Sequence, residues 1–218
     1  MKQLSLPFAE AQDFAPEDFC PAPSNLAARE WLARPDAWSN GRLVLWGEPG
    51  CGKTHLLHLW AKANAAQIIE GTRLRGLVRP DGPVAVDDAE LADEPRALLH
   101  LINAAAEARV PVLLASRLPP ARMAYKLADL TSRLRAAQSV EILPPEDELL
   151  DLLLGKLCAT RQMQLSVPVR NLLLLHLPRA PAYYREAVAR LDRAAMDKGA
   201  RVTRALALEM LAGLADGD

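Results

Sequence analysis

Short apolar runs separated by amphipathic stretches fill residues 24–143. Leu43-Val44-Leu45-Trp46, Gln67-Ile68-Ile69, Val84-Ala85-Val86, residues 110–115 and residues 139–143 have the length and composition of strands. The run at 110–115 is apolar throughout, which suits a strand buried on both faces. Between these runs, residues 25–33, 55–64 and 95–109 repeat apolar positions at helical spacing, as in Leu98, Leu99, Ile102 and Ala105. Ser24 is placed to cap the first of these helices, and Pro95 to open the third. Strands alternating with helices predict an α/β domain with a mostly parallel five-stranded sheet covered on both faces.

Pro144-Pro145 breaks the pattern, and beyond it only helical spacing is found, over 146–161, 167–177, 182–198 and 203–214. The segment Asn171 to Leu177 is apolar on most sides, which fits the core of a small helical bundle better than a membrane span. Residues 1–23 are rich in Pro, Ala and acidic side chains and show no sustained period. They are expected to form an extended, partly disordered arm. The expected organisation is an arm over 1–23, a nucleotide-binding α/β domain over 24–143 and a helical lid over 144–218. The connection over 70–83 is short and carries Gly and Pro, so any element there is small.

The first strand leads directly into candidate chemistry. Gly47, Glu48, Pro49, Gly50, Cys51, Gly52, Lys53 and Thr54 fit the phosphate-loop pattern G-x-x-x-x-G-K-[ST], with a strand before it and a helix after it. Glycines let the backbone turn tightly, so that successive N–H groups point at phosphate oxygens, and the helix adds its positive end. Lys53 would reach the β- and γ-phosphates and the Thr54 hydroxyl would ligate Mg²⁺. Asp87 and Asp88 end an apolar strand. Asp87 is the metal candidate and Asp88 a group that orients the attacking water, against the alternative of a surface turn rich in acids. Ser116 ends the apolar run at 110–115 and is a candidate contact to γ-phosphate or water, or an ordinary strand-end serine. Arg133 has the chemistry to stabilise charge on a γ-phosphate, and Arg185, in the third lid helix, to close onto the nucleotide. Each has a plainer alternative as a solvated helix arginine. His55 and His58 follow the loop with no third ligand in view, so packing is favoured over metal binding for both, and His55, next to Thr54, is also a nucleotide-binding candidate.

Composition narrows the classes. Hydrophobic residues make up 50% of the 218, charged residues 24%, and the formal net charge is −1. That balance is ordinary for a globular protein and argues against coating nucleic acid by bulk electrostatics. Cys20, Cys51 and Cys158 are far apart and form neither a metal spacing nor a disulfide framework. With no apolar signal core and no run of membrane length, a cytoplasmic, reducing setting is expected. In the arm, Gln3, Leu4, Ser5, Leu6, Pro7 and Phe8 form an apolar cluster, read either as a docking peptide or as a segment packed on its own domain.

Together, the loop with its His-Leu-Leu-His continuation, Val84-Ala-Val-Asp-Asp88, Ser116 before Pro119-Pro120, Leu130-Thr-Ser-Arg133 and Arg185-Glu186 resemble successive motifs of the DnaA family of AAA+ ATPases. A short DnaA relative with a leading Gln-Leu-Ser-Leu-Pro further resembles the Hda family, regulatory inactivators of DnaA. The resemblance implies an AAA+ P-loop NTPase fold, ADP or ATP with Mg²⁺, and residues 3–8 binding the β subunit sliding clamp of DNA polymerase III. It implies Ser116 at sensor 1, Arg185 at sensor 2 and Arg133 as an arginine finger acting on ATP held by DnaA. DNA would be met mainly through the clamp, self-association would use the AAA+ faces, and no membrane is expected. Two departures from the family pattern are the shorter 70–83 segment and Ala136-Ala137 in place of an aromatic residue. A DnaC-like helicase loader, another clamp-recruited AAA+ ATPase and a self-contained ATPase are the rival readings.

Overall fold

A computed structural model of the chain describes residues 14–199 and 201–215. Five parallel strands form one sheet in the order β2-β3-β4-β1-β5. They are β1 (Arg42–Trp46), β2 (Gln67–Glu70), β3 (Val84–Asp87), β4 (Val112–Ser116) and β5 (Gln138–Glu141). The expected five strands are therefore present, each within a few residues of its sequence limits. All connections are crossovers, so both faces need cover, and the period-2 alternation supplies two apolar surfaces. On one face Val44, Val84, Val86, Val112 and Leu114 pack against α3 (Pro95–Ala108) and α4 (Ala128–Arg135). On the other, Leu43, Leu45, Ala85, Leu113 and Ala115 pack against α1 (Pro23–Leu32) and α2 (Lys53–Ala63).

β4 is buried at every position, as its unbroken apolar run requires of a central strand. β2 is an edge strand with only Ile69 half-buried. Residues 71–83 supply no covering helix beyond one 3-10 turn (Gly71–Arg73), which accounts for Ile68 standing 38% exposed.

Four helices follow: α5 (Asp147–Thr160), α6 (Val167–His176), α7 (Pro181–Lys198) and α8 (Arg204–Ala215). They enclose a separate core that includes Leu154, Leu173, Tyr184, Val188, Leu191 and Ala207. Leu172 and Leu173 are core residues while Leu175 is exposed, so α6 is amphipathic inside a bundle. None of the described helices is long and apolar enough to cross a membrane.

Two sequence expectations change. Ser24 is not the cap of α1; it is the second helical residue, and Ala22 holds the cap position. The Ser24 N–H and hydroxyl instead donate to the Glu146 carboxylate, at 2.7 and 2.8 Å. A serine two residues past the cap is free to reach across the fold, and this pair joins α1 to the start of the lid. The described end of the arm is also ordered. Residues 14–22 carry a 3-10 turn (Pro16–Asp18), and Lys156 of α5 donates to the carbonyls of Glu17 (2.8 Å) and Phe19 (3.2 Å). Gln3, Leu4, Ser5, Leu6, Pro7 and Phe8 lie outside the described residues.

Candidate functional site

The parallel register brings the ends of β1, β3 and β4 to one edge of the sheet: Trp46 pairs with Ser116, and Val86 with Leu114 just before Asp87. In open α/β sheets this carboxyl edge is where ligands bind. Residues 47–52 leave β1 there with positive φ at Gly47 (157°), Gly50 (78°) and Gly52 (108°). A Cβ at residue 47 would sit 2.6 Å from the Ile142 carbonyl, and one at residue 50 would sit 2.9 Å from Ala180 Cβ. At residue 52 it would meet nothing within 4 Å, so the inner side of the turn is open where phosphate would sit. Lys53 is 7% exposed and donates to the carbonyls of Gly47 and Glu48, both at 2.8 Å, which gathers the loop around its ammonium. Glu48 and Pro49 are exposed on the outer turn. Cys51 lies 3.8 Å from the Lys53 ammonium, whose charge opposes but does not outweigh the burial that pushes the thiol up.

Thr54, in the first turn of α2, stands near enough to the Asp87 carboxylate to favour its charged form. Burial raises the Asp87 pKa; the nearby Thr54 hydroxyl and the Asp88 N–H (3.0 Å) oppose that shift, and Asp88's own charge adds to it. A hydroxyl and a carboxylate brought together beside the phosphate turn suit Mg²⁺, which keeps several waters and takes few protein ligands. Asp88 has left-handed backbone angles (φ 47°, ψ 47°), a conformation Asp tolerates. Its carboxylate stands 3.8 Å from Arg117 Nε, while Glu90 accepts the Arg117 N–H at 3.0 Å. Beneath it, Gly71 leaves no room: an added Cβ would lie 2.3 Å from the Asp88 carbonyl oxygen. Gly71→Ala is expected to lower stability by about 1–3 kcal/mol through overpacking and to displace the Asp87–Asp88 turn, as urea unfolding would show.

Ser116 is fully buried. Its hydroxyl donates to the Leu118 carbonyl (2.9 Å) and accepts the Leu118 N–H (3.0 Å), so it closes the turn after β4 rather than facing the cleft. Its carbonyl accepts the Gly47 N–H at 3.3 Å and so steadies the start of the loop.

The cleft over the loop holds about 200 Å³ and is completed by residues 14–25 on one side and by the lid on the other. Phe14, Asp18, Phe19 and Cys20 supply one wall; Leu149, Leu153, Pro181 and Arg185 of the lid supply another. Arg185 is half-buried in it, its pKa lowered by burial and supported by Asp18 and Cys20. The partner that Arg190 takes is Glu186 at 2.6 Å, which leaves Arg185 to the cleft.

His55 bonds the Ala15 carbonyl at 3.1 Å, and the Phe14 and Phe19 rings meet it edge-on at 5.5 and 5.3 Å. Phe14 also stacks on His58 at 4.1 Å. His55 thus anchors the arm against the helix that carries the loop. Desolvation lowers the pKa of both histidines from 6.5, more than the Ala15 carbonyl (for His55) and Asp87 (for His58) restore. The folded state therefore binds fewer protons than the unfolded one. Their contribution to stability is complete above pH 6.5 and is lost as pH falls through the lowered folded values. Unfolding free energy in urea is expected to drop between about pH 7 and pH 5. The drop should be shallower in His55→Gln, which keeps a donor for Ala15.

Arg133 lies elsewhere. It is exposed in the last turn of α4, just before β5 begins, at the sheet edge opposite the loop. Asn40, ahead of β1, donates to the Ala136 carbonyl at 3.4 Å and fixes α4 to that edge. The five residues of β1 place about 13 Å of strand between the two edges.

Strand order, loop and lid together decide the architecture. The fold is that of an AAA+ P-loop NTPase. No protein-family model matches the sequence, and no curated protein does. Among solved structures, domain III of the Thermotoga maritima replication initiation protein DnaA is similar at 19% identity and a TM-score of 0.76, over 93% of this chain and 97% of that one. AMPPCP-bound DnaA from Aquifex aeolicus is similar at 19% identity and a TM-score of 0.66, over 84% of this chain and 65% of that one. The Thermotoga maritima RuvB Holliday junction branch migration motor matches at 17% identity and a TM-score of 0.66, over 88% of this chain and 67% of that one. The likeness is one of fold, shared by replication initiators and a branch-migration motor alike.

Phe14, Asp18, Phe19 and Asn25 of the cleft wall were not singled out by sequence. Their only signal is the pair of phenylalanines inside a Pro-rich stretch that otherwise has no reason to hold aromatics.

Proposed function

We propose that this chain binds ADP or ATP with Mg²⁺ and acts as a regulator of replication initiation, promoting hydrolysis of ATP held by DnaA through Arg133 in trans. The observation that carries the reading is the position of Arg133. It is exposed, has no carboxylate partner among the described residues, and lies across the sheet from its own phosphate loop. An arginine so placed serves a nucleotide on another subunit. AMPPCP is bound by the Aquifex aeolicus relative, which supports a nucleotide at the loop of this chain.

In its own site the roles divide by chemistry. Backbone N–H groups of residues 50–54 cradle phosphate, and the Lys53 ammonium turns from the Gly47 and Glu48 carbonyls toward the β- and γ-oxygens. Thr54 and Asp87 hold Mg²⁺, which neutralises phosphate charge when bound. Asp88 orients water, and Ser116 acts through the loop it supports. Arg185 brings a second cation from the lid. The cleft falls short of the about 300–1,000 Å³ usual for small-molecule pockets.

Gln3, Leu4, Leu6 and Phe8 serve as the tether to the β sliding clamp, with apolar side chains filling pockets and Gln3 as polar anchor. DNA is then contacted chiefly through the clamp. Hydrolysis of ATP pre-bound to DnaA, in the presence of DNA-loaded clamp, tests the reading. Wild type is expected to accelerate it, and a Gln3→Ala, Leu6→Ala form to lose that effect while still binding nucleotide. An unchanged rate with wild type, in spite of clamp binding, removes DnaA as the target.

A further inference from the structure

The chain ahead of α1 is tied to both sides of the cleft. On the α/β side, His55 bonds the Ala15 carbonyl at 3.1 Å and Phe14 stacks on His58 at a ring separation of 4.1 Å, both histidines standing on α2. On the lid side, Lys156 of α5 donates to the carbonyls of Glu17 at 2.8 Å and Phe19 at 3.2 Å. Between these ties, Phe14, Asp18, Phe19 and Cys20 line the cavity itself. This segment is also the least secured of the surfaces that bound the cleft. Its regular structure is the single 3-10 turn Pro16–Asp18, and all three residues of that turn are exposed. The facing wall rests on α5 and α7, whose Leu153, Leu154, Val188 and Leu191 lie in the lid core. A segment with few buried apolar contacts opens locally at lower cost than a packed helix. The cavity of about 200 Å³ is smaller than the about 300–1,000 Å³ usual for a small-molecule pocket, so a wall has to give when a nucleotide enters.

We propose that residues 14–20 are a releasable strap over the cleft, latched to α2 by His55 and His58 and to the lid by Lys156, and that its opening sets the rate of nucleotide exchange. The strap gate rests on nucleotide binding at the phosphate loop, as proposed above, and is independent of DnaA as the target. Two of the latches act through the strap alone. Lys156 and His58 stand outside the lining of the cleft, so neither bears on what the cleft holds except by way of residues 14–20. Loosening either one favours the open strap whether the cleft is filled or empty. Entry and release then speed up together and affinity stays as it was. A strap that is only a fixed wall behaves differently, because its contacts with a bound nucleotide change release and leave entry alone. Closed, the strap joins α2 to α5 across the cleft, so the lid and the loop are held by one element that the nucleotide must pass.

Stopped-flow mixing of the full-length protein with a fluorescent ADP analogue, followed by its displacement with excess ADP, reads entry and release separately. Lys156→Met keeps the apolar stem and loses the donor. Both rates are expected to rise about tenfold in this variant, the effect of one charge-assisted hydrogen bond, with their ratio unchanged. His58→Ala removes the stack on Phe14 and should act in the same way, by about threefold. Hydrogen exchange follows the strap directly. The Asp18 and Phe19 amides donate within the 3-10 turn to the carbonyls of Ala15 (3.0 Å) and Pro16 (3.2 Å), and both should exchange faster in Lys156→Met. Faster amides with wild-type entry and release would mean that the strap opens without gating anything, which overturns the proposal. Unchanged amides with unchanged rates would strike out Lys156 as a latch and the strap with it. Faster release without faster entry would reduce residues 14–20 to a fixed wall. Failure of wild type to bind the analogue at all would remove the nucleotide reading itself, a result distinct from altered rates in the variants.

Discussion

Arg133→Ala should abolish stimulation of hydrolysis on DnaA, lowering the rate by about 10³- to 10⁵-fold, the range measured for arginine fingers supplied to a partner's site. That corresponds to about 4–7 kcal/mol of transition-state stabilisation. So large a figure arises because a guanidinium delivered to a water-excluded interface meets charge that develops only in the transition state. The same side chain contributes little to its own fold: it is exposed in the last turn of α4 and has no carboxylate partner among the described residues. Stability of the variant, and its affinity for its own nucleotide, should match wild type. Arg133→Lys restores charge without the planar fork and is expected to recover only a small part of the rate. A single-turnover assay on ATP-loaded DnaA with DNA-bound clamp separates these cases. Full stimulation by Arg133→Ala would dismiss it as the finger.

Lys53→Ala should weaken ADP binding by about 100-fold, the loss of one or two charge-assisted hydrogen bonds to phosphate. Two effects act in the same direction. The ammonium is the buried cation at the centre of the turn, and its removal leaves the Gly47 and Glu48 carbonyls without the donor that gathers the loop. Displacement of a fluorescent ADP analogue, or calorimetry, measures the change. Arg185→Ala is the comparison: half-buried at the lid side of the cleft, it should cost about tenfold or less. Unchanged affinity in Lys53→Ala would mean that nucleotide does not bind at this loop.

Much of the architecture is local and so was legible in the chain. Short apolar runs, set apart by stretches of helical spacing, marked all five strands and the lid helices, and burial on both faces left its uninterrupted signature in the central strand β4. The phosphate loop was equally plain, since glycines are demanded at fixed positions by backbone angles that other residues rarely adopt. The end of the arm was harder to read. Phe14 and Phe19 pack on His55 and His58, which lie about 40 residues away along the chain, and no local period announces such a contact. Ser24 looked like a cap and proved to be a long-range partner of Glu146, a choice settled by geometry once both helices are in place.

By itself, then, the sequence determined the strands, the helices, the loop and the acid at the end of β3, all of which depend on residue type and spacing. Only the tertiary structure decided what each side chain faces. It turned the Ser116 hydroxyl into its own turn, and it brought Thr54 of α2 close to Asp87 of β3. It also left Arg133 exposed at the end of α4 that leads into β5, at the edge away from the loop. Direction of this kind depends on strand order and crossover, which bring together residues that no periodicity along the chain relates.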